Sequence, residues 1–459
     1  MSTDPKTTAR AANGNGADRT GAYKGADVFV VDGARTPFLK ARGKPGSFSA
    51  SDLAVAAGRA LLARQPIEPE DLDEVILGCA MPSPDEPNIG RILALRLGCG
   101  DKVPGWTVMR NCASAMQALD SAARSIALGS ADLVLAGGTE AMSRAPILYN
   151  DDMVNWLAGL AGARSVPARL KQMLKLRPGH FKPIIGIMKG LTDPIVGLNM
   201  GQTCEVISHR FGVSREDMDN FSTRSHHRLA AAIDEGRLDE VEALYGPAGD
   251  VHAADDGLRR DSKAEKLATL RPFFDRKVGL VTPGNSSQIT DGAAVLLLAS
   301  GEAVERYGLK VLGRITDSQW SALDPAQMGL GPVHASTPIL QRHGLGLDEV
   351  DYWEINEAFA GQVLSCRAAW SDEDYCREQL GLEGPLGELD EDRLNLDGGA
   401  IAIGHPVGAS GARIVLHALK ALERSGGKRA IATLCIGGGQ GGAMLVERDS
   451  VDNGTEISA

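Results

Sequence analysis

The chain has 459 residues, 43% of them hydrophobic and 23% charged, with a formal net charge of −11 at pH 7. That length leaves room for roughly two to three domains with large cores, and the acidic balance excludes a general nucleic-acid surface. No apolar run reaches transmembrane length, the N-terminus lacks an apolar signal core, and the seven cysteines form no Cys-x-x-Cys pair; the expectation is a reduced, cytoplasmic protein with neither a disulfide framework nor a zinc site.

Residues 1–25 are polar and rich in Ala, Gly and Asn, which predicts a disordered tail, with a second tail at 449–459. Asp27–Val31 reads as a strand, Asp32–Pro37 as a turn, Ser51–Leu62 as a capped helix and Asp73–Gly78 as a second strand. Alternating strands and helices point to an α/β fold. Thr107–Cys112 reads as a short strand and Ala113–Leu128 as a helix with Met116, Leu119, Ala123 and Ile126 on one face. Asp132–Ala136 is then a buried strand running into Gly137-Gly138. Cys112 therefore stands at a strand-to-helix corner, where the helix dipole lowers a thiol's pKa, as a nucleophile requires. The plainer alternative is a buried core cysteine.

Residues 151–199 differ in character. Between 154 and 200 seven basic residues (Arg164, Arg169, Lys171, Lys175, Arg177, Lys182, Lys189) face only Asp193, in an otherwise acidic chain. Ala168–Leu176 is a basic amphipathic segment, suited to an anionic membrane or an acidic partner, or simply an insertion with a solvated face. Ser214 opens a helix over 214–236, and 247–265 is polar and loop-like. Val281–Gly292 is a long turn of small, hydrogen-bonding residues that suits a polar ligand lying along a backbone. Asp351–Asn356 is a strand whose last residue is placed either to hold a water or an oxyanion or to cap the next helix.

Gly398–Ala412 sets His405 among small residues just before the helix 412–423, where free N–H groups and the dipole favour developing negative charge. A histidine there can move a proton beside that charge, or be a structural residue in a tight turn. The strand Ala430–Ile436, with Cys435, runs into Gly437-Gly438-Gly439. Gly437–Gly442 matches G-x-G-x-x-G, but a strand follows instead of a helix, so a dinucleotide site is rejected. The order turn, helix, strand, Gly-Gly occurs at 112–138 and again at 404–439, which suggests a duplicated α/β unit with two turns facing one pseudo-twofold site.

Taken together, these stretches resemble the thiolase family. Asn111-Cys112-Ala-Ser-Ala-Met is similar to its nucleophile segment. Asn356-Glu-Ala-Phe-Ala360, Gly404-His405-Pro-Val-Gly-Ala-Ser-Gly411 and Cys435-Ile-Gly-Gly-Gly439 match its other motifs in order. Thr282–Ser287 with Asp291-Gly-Ala is similar to its coenzyme A loop, and Arg35-Thr-Pro37 to its opening; the likeness covers roughly 26–448. It implies two duplicated mixed-sheet βαβαβαββ halves in an αβαβα layering: 26–150 with 271–302, and 303–448, with 151–270 an inserted loop domain. It implies thiolytic cleavage of 3-ketoacyl-CoA to acetyl-CoA and a shortened acyl-CoA, with CoA as co-substrate and neither metal nor other cofactor.

By the same resemblance, Cys112 is the acylated nucleophile, His405 takes its proton and Cys435 protonates the α-carbon. Asn356 holds a water that binds the thioester oxygen together with His405. The N–H groups of Cys112 and Gly437 form a second oxyanion hole. Ser287 touches pantetheine and Met200 packs near the sulfur. Asn199-Met200-Gly201 stands where many short-chain members have His-Met-Gly, and Ala113 where a glycine is common. The long insertion, and the long gap between Asn356 and His405, resemble the thiolase subunit of the fatty-acid β-oxidation trifunctional complex. They imply longer acyl chains, a homodimer or homotetramer, an enoyl-CoA hydratase/3-hydroxyacyl-CoA dehydrogenase partner and peripheral membrane contact through 151–199. The alternatives are an acetoacetyl-CoA-forming acetyltransferase of the same mechanism and a non-catalytic scaffold subunit.

Overall fold

The computed structural model describes Tyr23 and residues 25–448; apart from Tyr23 and Gly25, the expected tails lie outside the described residues. The N-terminal half contains β1 (Phe29–Arg35), α1 (Ala50–Leu62), β2 (Glu74–Gly78), α2 (Ile89–Leu97), β3 (Gly105–Val108), α3 (Ser114–Ala127) and β4 (Leu133–Ala141). A long excursion follows, with α4 (Asp151–Gly162), α5 (Val166–Met173), α6 (Gly186–Gly190), α7 (Met200–Arg210) and α8 (Arg215–Asp234), before β5 (Thr290–Ala299) completes the half. The C-terminal half contains β6 (Gly313–Ala322), α9 (Gly331–His343), β7 (Tyr352–Ile355), α10 (Ala360–Ser371), α11 (Ser410–Ser425), β8 (Arg429–Ile436) and β9 (Gln440–Glu447).

The strands form one sheet in the order β7-β8-β9-β6-β1-β5-β4-β2-β3, with Leu39–Lys40 paired beside β5. In one half β2 lies parallel to β4, β4 antiparallel to β5, and β5 antiparallel to β1. In the other, β7 lies parallel to β8, β8 antiparallel to β9, and β9 antiparallel to β6. Order and sense repeat, so the duplication is present in the topology. The halves meet at a short seam, Phe29 opposite Arg314 and Val30 opposite Gly313. Both seam strands carry a register shift just past it, at Val30/Asp32 and Ile315/Asp317.

One core cluster gathers α3 and α11 with residues from both halves of the sheet. A second covers the outer face of the N-terminal half with α1 and α2, and a third covers the C-terminal half with α9 and α10. The result is the αβαβα layering. A strand covered on both faces favours apolar side chains, and β5, buried along its whole length, is apolar from Ala293 to Ala299. Helix α1 starts at Ser49, whose Oγ accepts from Asp52 N–H while Asp52 accepts from Ser49 N–H at 2.9 Å.

Two local expectations change. The turn expected at Asp32–Pro37 begins only after Arg35, because β1 keeps pairing with β5 as far as Arg35 opposite Ala294. Buried Arg35 grips Asp255 with two hydrogen bonds of 2.8 and 2.9 Å, tying that strand end to the excursion. The strand expected over Thr107–Cys112 stops at Val108, and Asn111 adopts a left-handed φ of 46° that bends the chain into α3. In the excursion α4 and α5 are joined by Trp156 Nε1 donating to Gln172 O at 2.9 Å. Further on, α7 and α8 lend Ile207, Met218 and Phe221 to the outer core of the C-terminal half.

Candidate active site

A cleft of about 600 Å³ is lined by Cys112, His405, Cys435, Met200 and Ser287 together. Asn356 and Gly437 adjoin this lining: Asn356 faces the His405 ring, and Gly437 O accepts from Asn111, the residue before Cys112. The residues singled out from sequence, far apart along the chain, thus converge on one place.

Cys112 sits in the turn between β3 and α3. Asn111 Nδ2 donates to Gly437 O at 2.9 Å, pinning that turn to the loop after β8. The N–H groups of Gly437 and of Cys112 itself lie against the thiol. The thiol pKa is nevertheless raised: burial outweighs these donors. The expected lowering by the helix dipole is thus overturned, because a desolvated thiolate costs more than a few N–H groups return.

His405 follows Gly404, whose φ of 115° and position 2.4 Å (as a Cβ) from Thr290 Cγ2 require glycine. The imidazole Nδ1 lies 2.6 Å from Ser410 Oγ, and that hydroxyl donates to Pro406 O at 3.0 Å. Since the hydroxyl proton is used, Nδ1 carries the ring proton and Nε2 is left as a base. Burial lowers the His405 pKa to about 3, with Arg413 adding to it, so the ring rests neutral. Asn356 Nδ2 stands 3.5 Å from Nε2, and among the described residues Asn356 Oδ1 has no hydrogen-bond partner. Asn356 does not cap a helix; α10 starts after Phe359.

Cys435, 1% exposed near the end of β8, packs with Cys204, Val281, Met328, Ala358 and Phe359. Burial pushes its thiol well up, and the neighbouring Cys112 adds to the effect. Two thiols of raised pKa and a neutral imidazole thus line the same cleft. The loop 282–287 is laced to the segment after β7: Ser287 N–H donates to Ala358 O at 2.9 Å and Ala360 N–H to Asn285 O at 3.0 Å. Asn285 Nδ2 reaches Asp219 on α8 at 3.1 Å, which holds the loop against the excursion.

Several lining residues were not singled out from sequence. Met142, Met188, Leu191, Phe273, Phe274 and Met328 make most of the apolar wall, and Lys40 and Arg259 are its basic members. The Phe273-Phe274 doublet in a glycine-bearing loop was the visible signal; the methionines carried none. Ser410 was legible as a hydroxyl one helical turn past His405-Pro406.

The model for the thiolase N-terminal domain matches residues 28–302, and that for the C-terminal domain residues 309–448. The chain belongs to the thiolase family. It is therefore an acyltransferase. It is 36% identical to the 3-ketoacyl-CoA thiolase of Yersinia enterocolitica over 92% of this chain and 97% of that one. It is 35% identical to the 3-ketoacyl-CoA thiolase of Serratia proteamaculans, over 92% and 96%. Among solved structures it is similar to human mitochondrial 3-ketoacyl-CoA thiolase in complex with CoA, with TM-score 0.79 and 34% identity over 94% of this thiolase and 99% of the other. It is also similar to the Bacillus anthracis acetyl-CoA acetyltransferase, with TM-score 0.78 and 33% identity over 93% and 100%. Among the described residues no three His, Cys, Asp or Glu side chains are grouped to hold a metal ion, and no helix is long and apolar enough to cross a membrane.

Proposed function

We propose that this thiolase cleaves 3-ketoacyl-CoA with CoA, giving acetyl-CoA and an acyl-CoA shortened by two carbons. The observation that carries the reading is the convergence of Cys112, His405 and Cys435 on one apolar cleft, with Asn356 against the His405 base. In this reading Cys112 gives its proton to His405 Nε2 and attacks the ketone carbon. The C2–C3 bond breaks, its electron pair passes to the acetyl-CoA fragment, and Cys435 protonates that carbanion. The shortened acyl group stays on Cys112 as a thioester. Cys435, now a thiolate, takes the proton of the incoming CoA thiol; CoA sulfur attacks the thioester, and Cys112 leaves with the proton held by His405. Protons and charges balance over the two steps.

Two oxygens must be stabilised. The N–H groups of Cys112 and Gly437 are assigned to the one on the carbon bonded to Cys112, and a water on Asn356 with His405 to the thioester oxygen. Ser287 is assigned to pantetheine and Met200 to packing near the sulfur. We read 26–150 with 271–302, and 303–448, as the two halves, and 151–270 as an inserted loop domain. Its α4–α6 region leaves Leu170, Leu174, Phe181 and Met188 exposed beside the basic residues. This supports docking of an anionic membrane surface or a hydratase/dehydrogenase subunit through 151–199, and we read the protein as a cytoplasmic homo-oligomer.

The test is CoA-dependent cleavage of short, medium and long 3-ketoacyl-CoAs by the purified protein. Cleavage extending to long chains is expected; activity confined to acetoacetyl-CoA moves the assignment to the acetyltransferase reading. Deletion of 160–190 is expected to lower binding to anionic liposomes or to the partner, and unchanged binding removes the docking role.

A further inference from the structure

The repeated topology gives residues of one half counterparts in the other, and the register identifies them. Gly78 ends β2 opposite Gly138, and Ile355 ends β7 opposite Thr433. Two residues beyond those partners stand Glu140 and Cys435, each facing a glycine of the next strand, Gly292 and Gly441. Helices α3 and α11 both begin at a serine preceded by alanine, and two residues before the serine stand Cys112 and Gly408. The turn Cys79–Met81 after β2 answers to Asn356–Ala358 after β7. The active site joins the Cys112 turn of one half to Asn356 and Cys435 of the other. Exchanging the halves joins the Gly408 turn to Cys79–Met81 and Glu140.

That second site is built and closed. Glu140 is 0% exposed and accepts from Ala80 N–H at 2.8 Å, Met81 N–H at 3.1 Å and the Cys79 thiol at 3.4 Å. Gly408 N–H donates to it as well. A Cβ on Gly408 would stand 2.6 Å from Glu140 Oε2 and 2.4 Å from Thr139 O, so glycine is what lets the turn reach the carboxylate. The mechanism above uses none of these groups.

We infer that Glu140, standing where a second thiol would be, is a positioning residue: its carboxylate pins the Gly404–Gly408 turn so that His405 stays aimed at Cys112. This rests on the reading of Cys112 and His405 as nucleophile and base. Among the described residues, the titratable groups that face Glu140 are Cys79, from the turn after β2, and Cys112, from the turn before α3; β5 places Gly292 opposite it, and the α11 turn offers a backbone N–H. Burial pushes the Glu140 carboxyl up to about 7, against the backbone donors and the Cys79 thiol that lower it. After burial, the Glu140 charge is a further cause of the raised Cys112 thiol.

The experiment is the pH profile of Cys112 alkylation by iodoacetamide, read as modified peptide, alongside thiolysis kinetics for wild type, Glu140→Gln and Glu140→Asp. Glu140→Gln removes the charge, so the alkylation midpoint should move to lower pH, and kcat should fall about tenfold with KM for CoA held. Glu140→Asp keeps the charge, so its midpoint should stay while kcat falls. An unmoved midpoint and kcat in folded Glu140→Gln overturns the inference, because a packing role alone would not move the midpoint. Should these variants not fold, Gly408→Ala decides: its Cβ would stand 2.6 Å from Glu140 Oε2 and push the turn off the carboxylate, so kcat should fall with KM for CoA held. Unchanged kcat in folded Gly408→Ala overturns the inference. If alkylated Cys112 leaves thiolysis intact, the nucleophile assignment fails, independently of the Glu140 result.

Discussion

The two halves share one scaffold and differ in how they close it. Between β8 and β9 the chain turns in three residues, Gly437–Gly439; between β4 and β5 it takes 142–289. The short link requires glycine. Gly438 and Gly439 have φ of 92° and 71°, and a Cβ on Gly439 would meet Leu323 O at 2.2 Å. It brings the Gly437 N–H against Cys112. The long link supplies much of the cleft's apolar wall, with Met188, Leu191, Met200, Phe273 and Phe274. Duplication thus leaves one connection short and the other free to grow, and the proposed mechanism draws its backbone donor from the first and its binding surface from the second.

Substitutions separate these tasks. The largest effect is expected at the nucleophile: Cys112→Ala should lower thiolysis by about 10⁴-fold or more with the fold intact by circular dichroism. Cys435→Ala should still give the acyl-Cys112 species by mass spectrometry but lose α-proton exchange on acetyl-CoA; exchange that persists removes the role given to Cys435. Gly439→Ala strains the short link, and kcat should drop about 10²-fold through the displaced Gly437 N–H, with KM for CoA little changed. On the long link, Met188→Trp should lower kcat/KM for long chains by about tenfold and spare acetoacetyl-CoA; equal loss on all chains would place Met188 outside the acyl path.

The last effect concerns stability. Folded His405 and His226 have pKa values lowered to about 3 and about 4, in each case first by burial, from an ordinary 6.5. The unfolded chain therefore binds more protons below pH 6.5, so stability is lost as pH falls through that range, by about 1.4 kcal/mol per pH unit for each histidine. Glu240, lowered to about 2 although burial opposes it, because His417 and Arg35 face it, adds in the same direction once pH drops below its ordinary 4.5. Urea midpoints measured from pH 7 downward check this, and His405→Asn should flatten the upper part of the curve.

Much of this molecule was legible in its residues. Periodicity and glycine placement located the elements that carry Cys112, His405 and Cys435, because a strand-to-helix turn and a Gly-Gly strand end are local events. The duplicated order of turn, helix, strand and glycines was visible at 112–138 and 404–439 for the same reason. Other features were decided only by tertiary structure. Burial, which depends on what covers a residue, reversed the expected lowering of the Cys112 thiol. Pairing with β5 carried β1 through Asp32–Arg35, where local propensity asked for a turn. The methionine wall of the cleft and the carboxylate of Glu140 gained their places from strands and turns far away in the chain, and no local pattern encodes such a meeting.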